Sequence, residues 1–239
     1  MASRTGERTL RFAGGWARVG PWREHRDVAH LVLSTESVVS AAAVAECVAR
    51  LRRDGYGSVV TSPFTEAAAA PFLAAGFVHR EHLHLLAHSL ELVARFDADR
   101  PPVRRAWRGD RAAVLDIDAH AFMPSWQLGA AGLREALRAT PSVRFRVGHH
   151  PGDPFPVAYA VMGRAGHHGY LQRLAVHPSQ RGRGFGRALI DDGLRWVRRG
   201  GARRCLVNTQ ENNRDALELY ERCGFERLPT GLAVLSADL

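Results

Sequence analysis

Three glycines at alternating positions stand where a strand pattern gives way to a helical one, in LAVHPSQRGRGFGRAL (residues 174–189). Glycines lack side chains, so backbone N–H groups at the start of a helix can wrap around an anion. Neighbouring arginines can add charge-assisted hydrogen bonds. The glycines are Gly182, Gly184 and Gly186, and the arginines are Arg181, Arg183 and Arg187. This pattern predicts a cradle for a pyrophosphate.

The glycine spacing differs from the Rossmann fingerprint, which requires Gly-x-Gly-x-x-Gly. The alternative interpretation is a flexible surface loop flanked by arginines. The order strand, loop, helix favours the phosphate cradle over that alternative.

A second polar segment follows a short apolar run and contains NNRDALELYERCGF (residues 212–225). Tyr220 lies seven residues after Asn213, two turns along the same helical face. A tyrosine, with an ordinary pKa of about 10, can donate a proton there. The alternative is a half-buried tyrosine that packs its ring in the core.

Together the two segments resemble the GNAT superfamily of acetyl-CoA-dependent N-acetyltransferases, over residues 103–239. The phosphate-loop pattern of that family is met by Arg181, Gly184 and Gly186. The resemblance implies a mixed, mostly antiparallel α/β sheet flanked by helices, with acetyl-CoA as cosubstrate. The cofactor-binding residues that it implies are Leu174, Ala175, Val176, Arg181, Gly182, Arg183, Gly184, Phe185, Gly186, Arg187, Asn208 and Asn213.

The resemblance also implies a mechanism in which a bound amine attacks the thioester directly. The Val176 amide would polarise the carbonyl and Tyr220 would protonate the departing thiolate. Relatives that acetylate protein N-termini often have a glutamate base where this chain has Asn208. The base is therefore unassigned, and a small-molecule amine is slightly favoured over a protein N-terminus or side chain.

Three residues are predicted to contact the acceptor. Phe122 and Trp126 lie between the first two helices of the C-terminal region, and Gln172 lies on the strand before the loop. In relatives the first of these segments overhangs the acceptor site. An ordinary core role for the two aromatic residues remains an open alternative.

A proline pair after a polar stretch predicts a linker at residues 96–102. We therefore expect a degenerate GNAT-like half-domain at 1–95 and a catalytic domain at 103–239. In the latter, the predicted helices cover 110–121, 129–139, 184–199 and 215–222, and the predicted strands cover 143–147, 157–162, 170–176, 205–208 and 232–236. Consecutive strands followed by strand–helix–strand crossovers predict a mixed α/β sheet.

The N-terminal part partly repeats this pattern at an offset of 148 residues, where Gly76-Phe77 matches Gly224-Phe225. Phe72 then stands in place of Tyr220, and Thr65 in place of Asn213. Residues 33–39 contain no glycine where a phosphate loop belongs. We predict a pseudo-tandem arrangement in which the first half binds no coenzyme A.

Histidines recur between residues 79 and 88, and His82 and His84 alternate along a predicted strand. A zinc site is one interpretation, but the spacing matches no recognised ligand set. Half-exposed strand histidines are the favoured one, and we predict no metal site.

All 33 basic residues among the 239 are arginine, and the net charge is +9. Without lysine, the chain cannot form a Walker phosphate loop or a Schiff base. The even scatter of arginine argues against nucleic-acid binding. No apolar run approaches the roughly 20 residues that cross a bilayer.

MASRTGERTL at the start lacks a hydrophobic signal core. The three cysteines are odd in number, which suits reduced thiols and therefore a cytoplasmic protein. Exposed sheet edges can pair, so a homodimer is possible. A non-catalytic acyl-CoA-binding module stays open as the alternative to an enzyme.

Overall fold

The computed structural model describes residues 8–12, 14–22, 25–33, 39–93 and 99–239. Their strands are β1 (Arg8–Phe12), β2 (Gly15–Trp22), β3 (His25–Leu33), β4 (Ser58–Thr61), β5 (Phe64–Thr65), β6 (Val78–His88), β7 (Val103–Arg105), β8 (Ser142–His149), β9 (Pro156–Ala165), β10 (His168–Val176), β11 (Arg204–Gln210), β12 (Glu226–Arg227) and β13 (Leu232–Asp238). Their α-helices are α1 (Ala41–Arg53), α2 (Glu66–Ala74), α3 (Arg111–Ala121), α4 (Ala130–Ala136), α5 (Phe185–Arg199) and α6 (Arg214–Arg222).

The chain forms two compact units, and the first joins residues up to 85 with 208–212 and 228–239. Its strand order is β1-β2-β3-β4-β13-β6, in which only the β3–β4 pair is parallel among the described strands. The core between this sheet and α1 and α2 includes Leu31, Leu51, Phe72 and Leu235. The C-terminal strand therefore completes the sheet of the first unit.

The second unit contains residues 86–207 and 213–227. Its strands run in the order β11-β10-β9-β8-β7, antiparallel except for β10 with β11. Alternation along β9 sends Ala160 and Met162 towards the core with α5 and α6, and Tyr159 and Val161 towards the core with α3 and α4. Both units are thus mixed α/β sheets flanked by helices, as the sequence predicts.

The compact units do not divide at the predicted linker. Leu86 and Leu90 precede that linker and yet belong to the core of the second unit. Residues 96–98 of the linker lie outside the described residues, but the Pro102 carbonyl accepts a hydrogen bond from the His149 amide at 3.2 Å. A break in composition gives no information on which distant strands pair, and the domains at 1–95 and 103–239 stay a prediction.

The secondary structure agrees with the predicted repeat. α2 and α6 begin 148 residues apart, which is the predicted repeat offset. Each is followed by a glycine with positive φ, +89° at Gly76 and +87° at Gly224. The ring of Phe72 packs on that of Phe77, with 5.2 Å between their centroids. The ring of Tyr220 likewise packs on that of Phe225, at 5.9 Å. Ser34–Val38, in the segment predicted to lack a phosphate loop, lie outside the described residues.

Two further differences are local. α4 ends at Ala136 rather than at residue 139, because the chain then tightens into turns such as Arg138 N–H to the Glu135 carbonyl. The strand β7 occupies 103–105, where the sequence predicts no strand. Across the described residues, no helix has both the length and the apolar character needed to cross a bilayer.

The reactivity of the three free, buried cysteines measures the packing of each unit. Cys47 lies in the first unit, and Cys205 and Cys223 lie in the second. Burial raises the thiol pKa of Cys47 and of Cys223 to about 11 and that of Cys205 to about 12. Because the thiolate is the reactive form, we expect alkylation at pH 8 to be far slower in the native chain than in denaturant. Mass spectrometry after iodoacetamide treatment measures this. Rapid native labelling of all three would contradict the packing described here.

Candidate cofactor and acceptor site

The strands β10 and β11 separate soon after they meet. In the described residues their parallel pairing covers His168–Tyr170 and ends there, although β10 continues to Val176. β10 also gains one residue relative to β9 between Leu171 and Arg173, which makes Gln172 a β-bulge. A bulge increases the local twist of a strand. Beyond it, β10 stays paired with β9 on one side to Val176, while β11 no longer pairs on the other. The edge of β10 at Leu174, Ala175 and Val176 is therefore open to an extended ligand.

The predicted glycine loop joins β10 to the 15-residue helix α5. Gly182 and Gly184 adopt left-handed φ angles of +75° and +84°, and Gly184 is the N-cap of α5. The position of an added Cβ is open at Gly182, and at Gly184 it lies 3.5 Å from Pro101. Free amides at the helix start, reached by a loop that only glycine adopts without strain, suit an anion.

The remaining loop residues have different surroundings. Phe185 is buried against His150, so it can offer a ligand only its backbone. At Gly186 an added Cβ would lie 2.9 Å from Leu219, which shows close packing between α5 and α6. Arg187 extends along α5 to within 3.9 Å of Asp191, and Arg181 lies 3.8 Å from Asp215. Arg183 is exposed in the loop itself.

The two predicted asparagines do not lie in one unit. Asn213 caps α6, its side-chain oxygen accepting from the Ala216 amide at 3.3 Å. Capping explains this asparagine without a ligand, and leaves only its N–H groups for one. Asn208 is exposed and belongs to the first unit.

Tyr220 is buried in the core that also holds Leu217 and Phe225. Burial raises the pKa of its hydroxyl to about 12, against an opposing effect of the nearby Arg173 charge. The hydroxyl therefore stays protonated throughout the neutral and mildly alkaline range. That state suits a proton donor and excludes a general base at neutral pH.

A buried ion pair lies on the other face of β10. Arg173 makes two hydrogen bonds of 2.8 Å to Asp118, whose side chain is completely buried. The same carboxylate accepts the Tyr159 hydroxyl and the Leu128 amide. It thereby links the strand β10, the helix α3 and the loop after α3.

All three predicted acceptor residues adjoin Arg173. Its guanidinium stacks over the ring of Phe122, 3.4 Å from the centroid, and donates to the Trp126 carbonyl at 2.7 Å. Gln172 donates to Thr140, while its Oε1 is buried with no hydrogen-bond partner in the described part of the chain.

Arg173 and Asp118 are absent from the sequence-based site. A signal for them exists: an arginine inside the apolar run of β10, and an aspartate that shares the buried face of α3 with Val114 and Ile117.

Residues 112–225 match the model of the acetyltransferase (GNAT) family. Among curated proteins, the mycothiol acetyltransferase of Geodermatophilus obscurus is 42% identical over 79 residues, which are 33% of this chain and 23% of that protein. The mycothiol acetyltransferase of Salinispora arenicola is 32% identical over 142 residues, 58% of this chain and 40% of that protein. The matches thus span less than half of these relatives.

Two solved structures share the fold over nearly the whole chain. A tandem GNAT protein from the clavulanic acid biosynthesis pathway has a TM-score of 0.70 at 14% identity, covering 96% of this chain and 81% of that one. A GCN5-related N-acetyltransferase from Kribbella flavida has a TM-score of 0.66 at 18% identity, covering 97% and 89%. The first of these supports the predicted tandem arrangement.

Proposed function

Because residues 112–225 are a GNAT acetyltransferase domain, we propose that this protein transfers an acetyl group from acetyl-CoA to a primary amine. The observation that carries the proposal is the open edge of β10 leading straight into the glycine loop at the start of α5. An edge that can pair with an extended ligand and a loop that can hold a phosphate thus follow one another within the 13 residues from Leu174 to Gly186.

These residues fit acetyl-CoA. The edge at Leu174, Ala175 and Val176 would pair with the pantetheine arm as an added strand would. The loop amides from Gly182 to Gly186 would hold the pyrophosphate, with Arg183 as the exposed cation and Asn213 as a donor. The Arg181 amide already donates to the Pro178 carbonyl at 3.3 Å, so Arg181 would contribute its side chain. For Asn208, a role as a cofactor-binding residue rests on the family resemblance alone.

Bound acetyl-CoA supplies a thioester that an amine can attack directly. The chain contributes position and polarisation: the Val176 amide donates towards the developing oxyanion, and Tyr220 holds a proton for the leaving sulfur. No covalent intermediate on the protein is needed.

For the acceptor we propose a small-molecule amine that lies between Phe122, Trp126 and Gln172. The unpartnered Oε1 of Gln172 is a buried acceptor, and an amine N–H would satisfy it. The name of the curated relatives, mycothiol acetyltransferase, refers to a small molecule rather than to a protein. With Asn208 in place of a base, the amine is expected to arrive neutral. Three free cysteines support a reducing compartment.

A second candidate is an acyl-CoA-binding module without turnover. The burial of Tyr220 favours it, since a ring packed in the core has a structural role of its own.

Tyr220→Phe separates the two candidates. We expect acetyl-CoA affinity to stay unchanged and kcat to fall by about 100-fold, because general acid catalysis contributes about 10²–10⁴. With a pKa of about 12, the wild-type hydroxyl should cause no loss of kcat below pH 10. Steady-state rates from pH 7 to 10 measure both. An unchanged kcat in the variant would remove Tyr220 from the mechanism.

Saturating acetyl-CoA should raise the Tm, by the equivalent of about 2.7 kcal/mol at 100 times Kd. We expect Gly182→Val with Gly184→Val to abolish the shift. Gly201→Val is the matched control, since Gly201 has the same left-handed φ of +84° in open space. It should lower Tm through the same backbone strain and keep the shift. Differential scanning calorimetry measures all three. No shift in the wild type would refute coenzyme A binding itself.

A further inference from the structure

Two histidines and a glutamate meet on the surface of the first unit. Glu66 opens α2, and His79 and His82 lie on β6. One ligand atom from each comes within 4.8 Å of the others. The two imidazole rings stack at 4.5 Å between centroids, and Nδ1 of His82 lies 3.5 Å from the Glu66 carboxylate.

A β-bulge brings the two histidines together. The pairing of β6 with β13 advances from Glu81 to His79 on β6 while it advances by one residue on β13, so Arg80 is the extra residue. One added residue reverses the alternation of side chains along a strand. His79 consequently lies on the same face of β6 as His82, although three residues separate them.

We propose that Glu66, His79 and His82 bind one divalent transition-metal ion. Two imidazoles and one carboxylate form a donor set suited to Zn²⁺ and its neighbours, with water in the remaining positions. Among the described residues the side chain of His79 makes no hydrogen bond, and the side chain of His82 has Glu66 as its one polar partner. The ion would tie the first turn of α2 to β6, and it revises the expectation that the chain has no metal site.

A second group, Asp116, His120 and His177, serves as a control. Its ligand atoms also lie within 4.8 Å of one another. There, however, Nδ1 of His120 is held by the Asp116 carbonyl at 2.9 Å and Nδ1 of His177 by the Ser179 hydroxyl at 2.8 Å.

The test is isothermal titration calorimetry of the full chain, without an affinity tag, against Zn²⁺. We expect about one ion per chain, and a loss of affinity of about tenfold or more in His79→Ala and in His82→Ala, since even outer partners of a metal site are worth that much. Glu66→Gln should weaken binding as well. His84→Ala, on the same strand, and His120→Ala, in the second group, should bind as the wild type does.

All five side chains lie at or near the surface, so Tm without metal should be unchanged, which confirms that each variant folds. Saturable binding that survives in His79→Ala and His82→Ala, or that disappears in His120→Ala, would overturn the proposal. So would the absence of saturable binding in the wild type. None of these readouts depends on acetyl transfer, so the metal site is tested independently of the proposed function.

Discussion

A chain that begins at residue 103 is expected not to fold, although it contains every residue of the predicted catalytic domain. Its C-terminal strand β13 has lost its partners β4, β5 and β6. Its core has lost Leu86 and Leu90, which are 0% and 3% exposed and worth about 1.5–3 kcal/mol each. Whole domains are stable by only about 5–15 kcal/mol. Circular dichroism during heating measures the outcome, and we expect no cooperative transition.

Co-expression provides the control. Residues 1–98 and 99–239, produced as separate polypeptides in one cell, restore the pairing of β13 with β4 and β6, so we expect them to co-purify and unfold cooperatively. A 103–239 fragment that unfolds cooperatively on its own and binds acetyl-CoA would contradict the division into units described here.

A milder version of the same experiment changes one residue of β13. Leu235 is completely buried in the core of the first unit, and Leu235→Ala should cost about 2–5 kcal/mol. Leu92→Ala is the matched substitution, because Leu92 is 89% exposed, and it should leave Tm unchanged. In the Leu235 variant, Cys47 should become the most readily alkylated cysteine, since it shares that core.

Local signals predicted the second unit well. The strands β8, β9 and β10 and the helices α5 and α6 appear within a few residues of their predicted bounds, because their apolar periodicity and glycine stops are contained in single segments. The left-handed loop at Gly182 and Gly184 follows from glycine itself. These features need no information from elsewhere in the chain.

Long-range pairing set the rest. The sequence predicts β13 as the last strand of the C-terminal domain. Its hydrogen-bonded neighbours in the sheet are β4 and β6, more than 140 residues earlier in the chain. Arg173 and Asp118 are 55 residues apart, and only the packing of α3 on β10 makes them partners. A single sequence gives no signal for which distant segments pair. Here that pairing decides both the unit boundary and the surroundings of the proposed acceptor residues.

Asp118→Ala is expected to be among the most destabilising single substitutions in the second unit. It leaves the Arg173 guanidinium, 12% exposed, without its carboxylate and removes the acceptor of the Tyr159 hydroxyl. Breaking a buried pair from one side costs about 3–5 kcal/mol, which for a chain of this size lowers Tm by roughly 10 °C. Asp116→Ala is the control two residues away, because its side chain is 65% exposed and should not affect Tm.

A double-mutant cycle tests whether the pair itself is responsible. Asp118→Leu with Arg173→Met removes both charges, so no buried ion is left uncompensated. The double variant should be more stable than Asp118→Leu alone, and Arg173→Met alone completes the cycle. Because Arg173 also holds Phe122 and the Trp126 carbonyl, the double variant should raise KM for the acceptor amine while Kd for acetyl-CoA stays unchanged. A coupling energy near zero, or an equal loss of affinity for both substrates, would mean that this pair does not position the acceptor side.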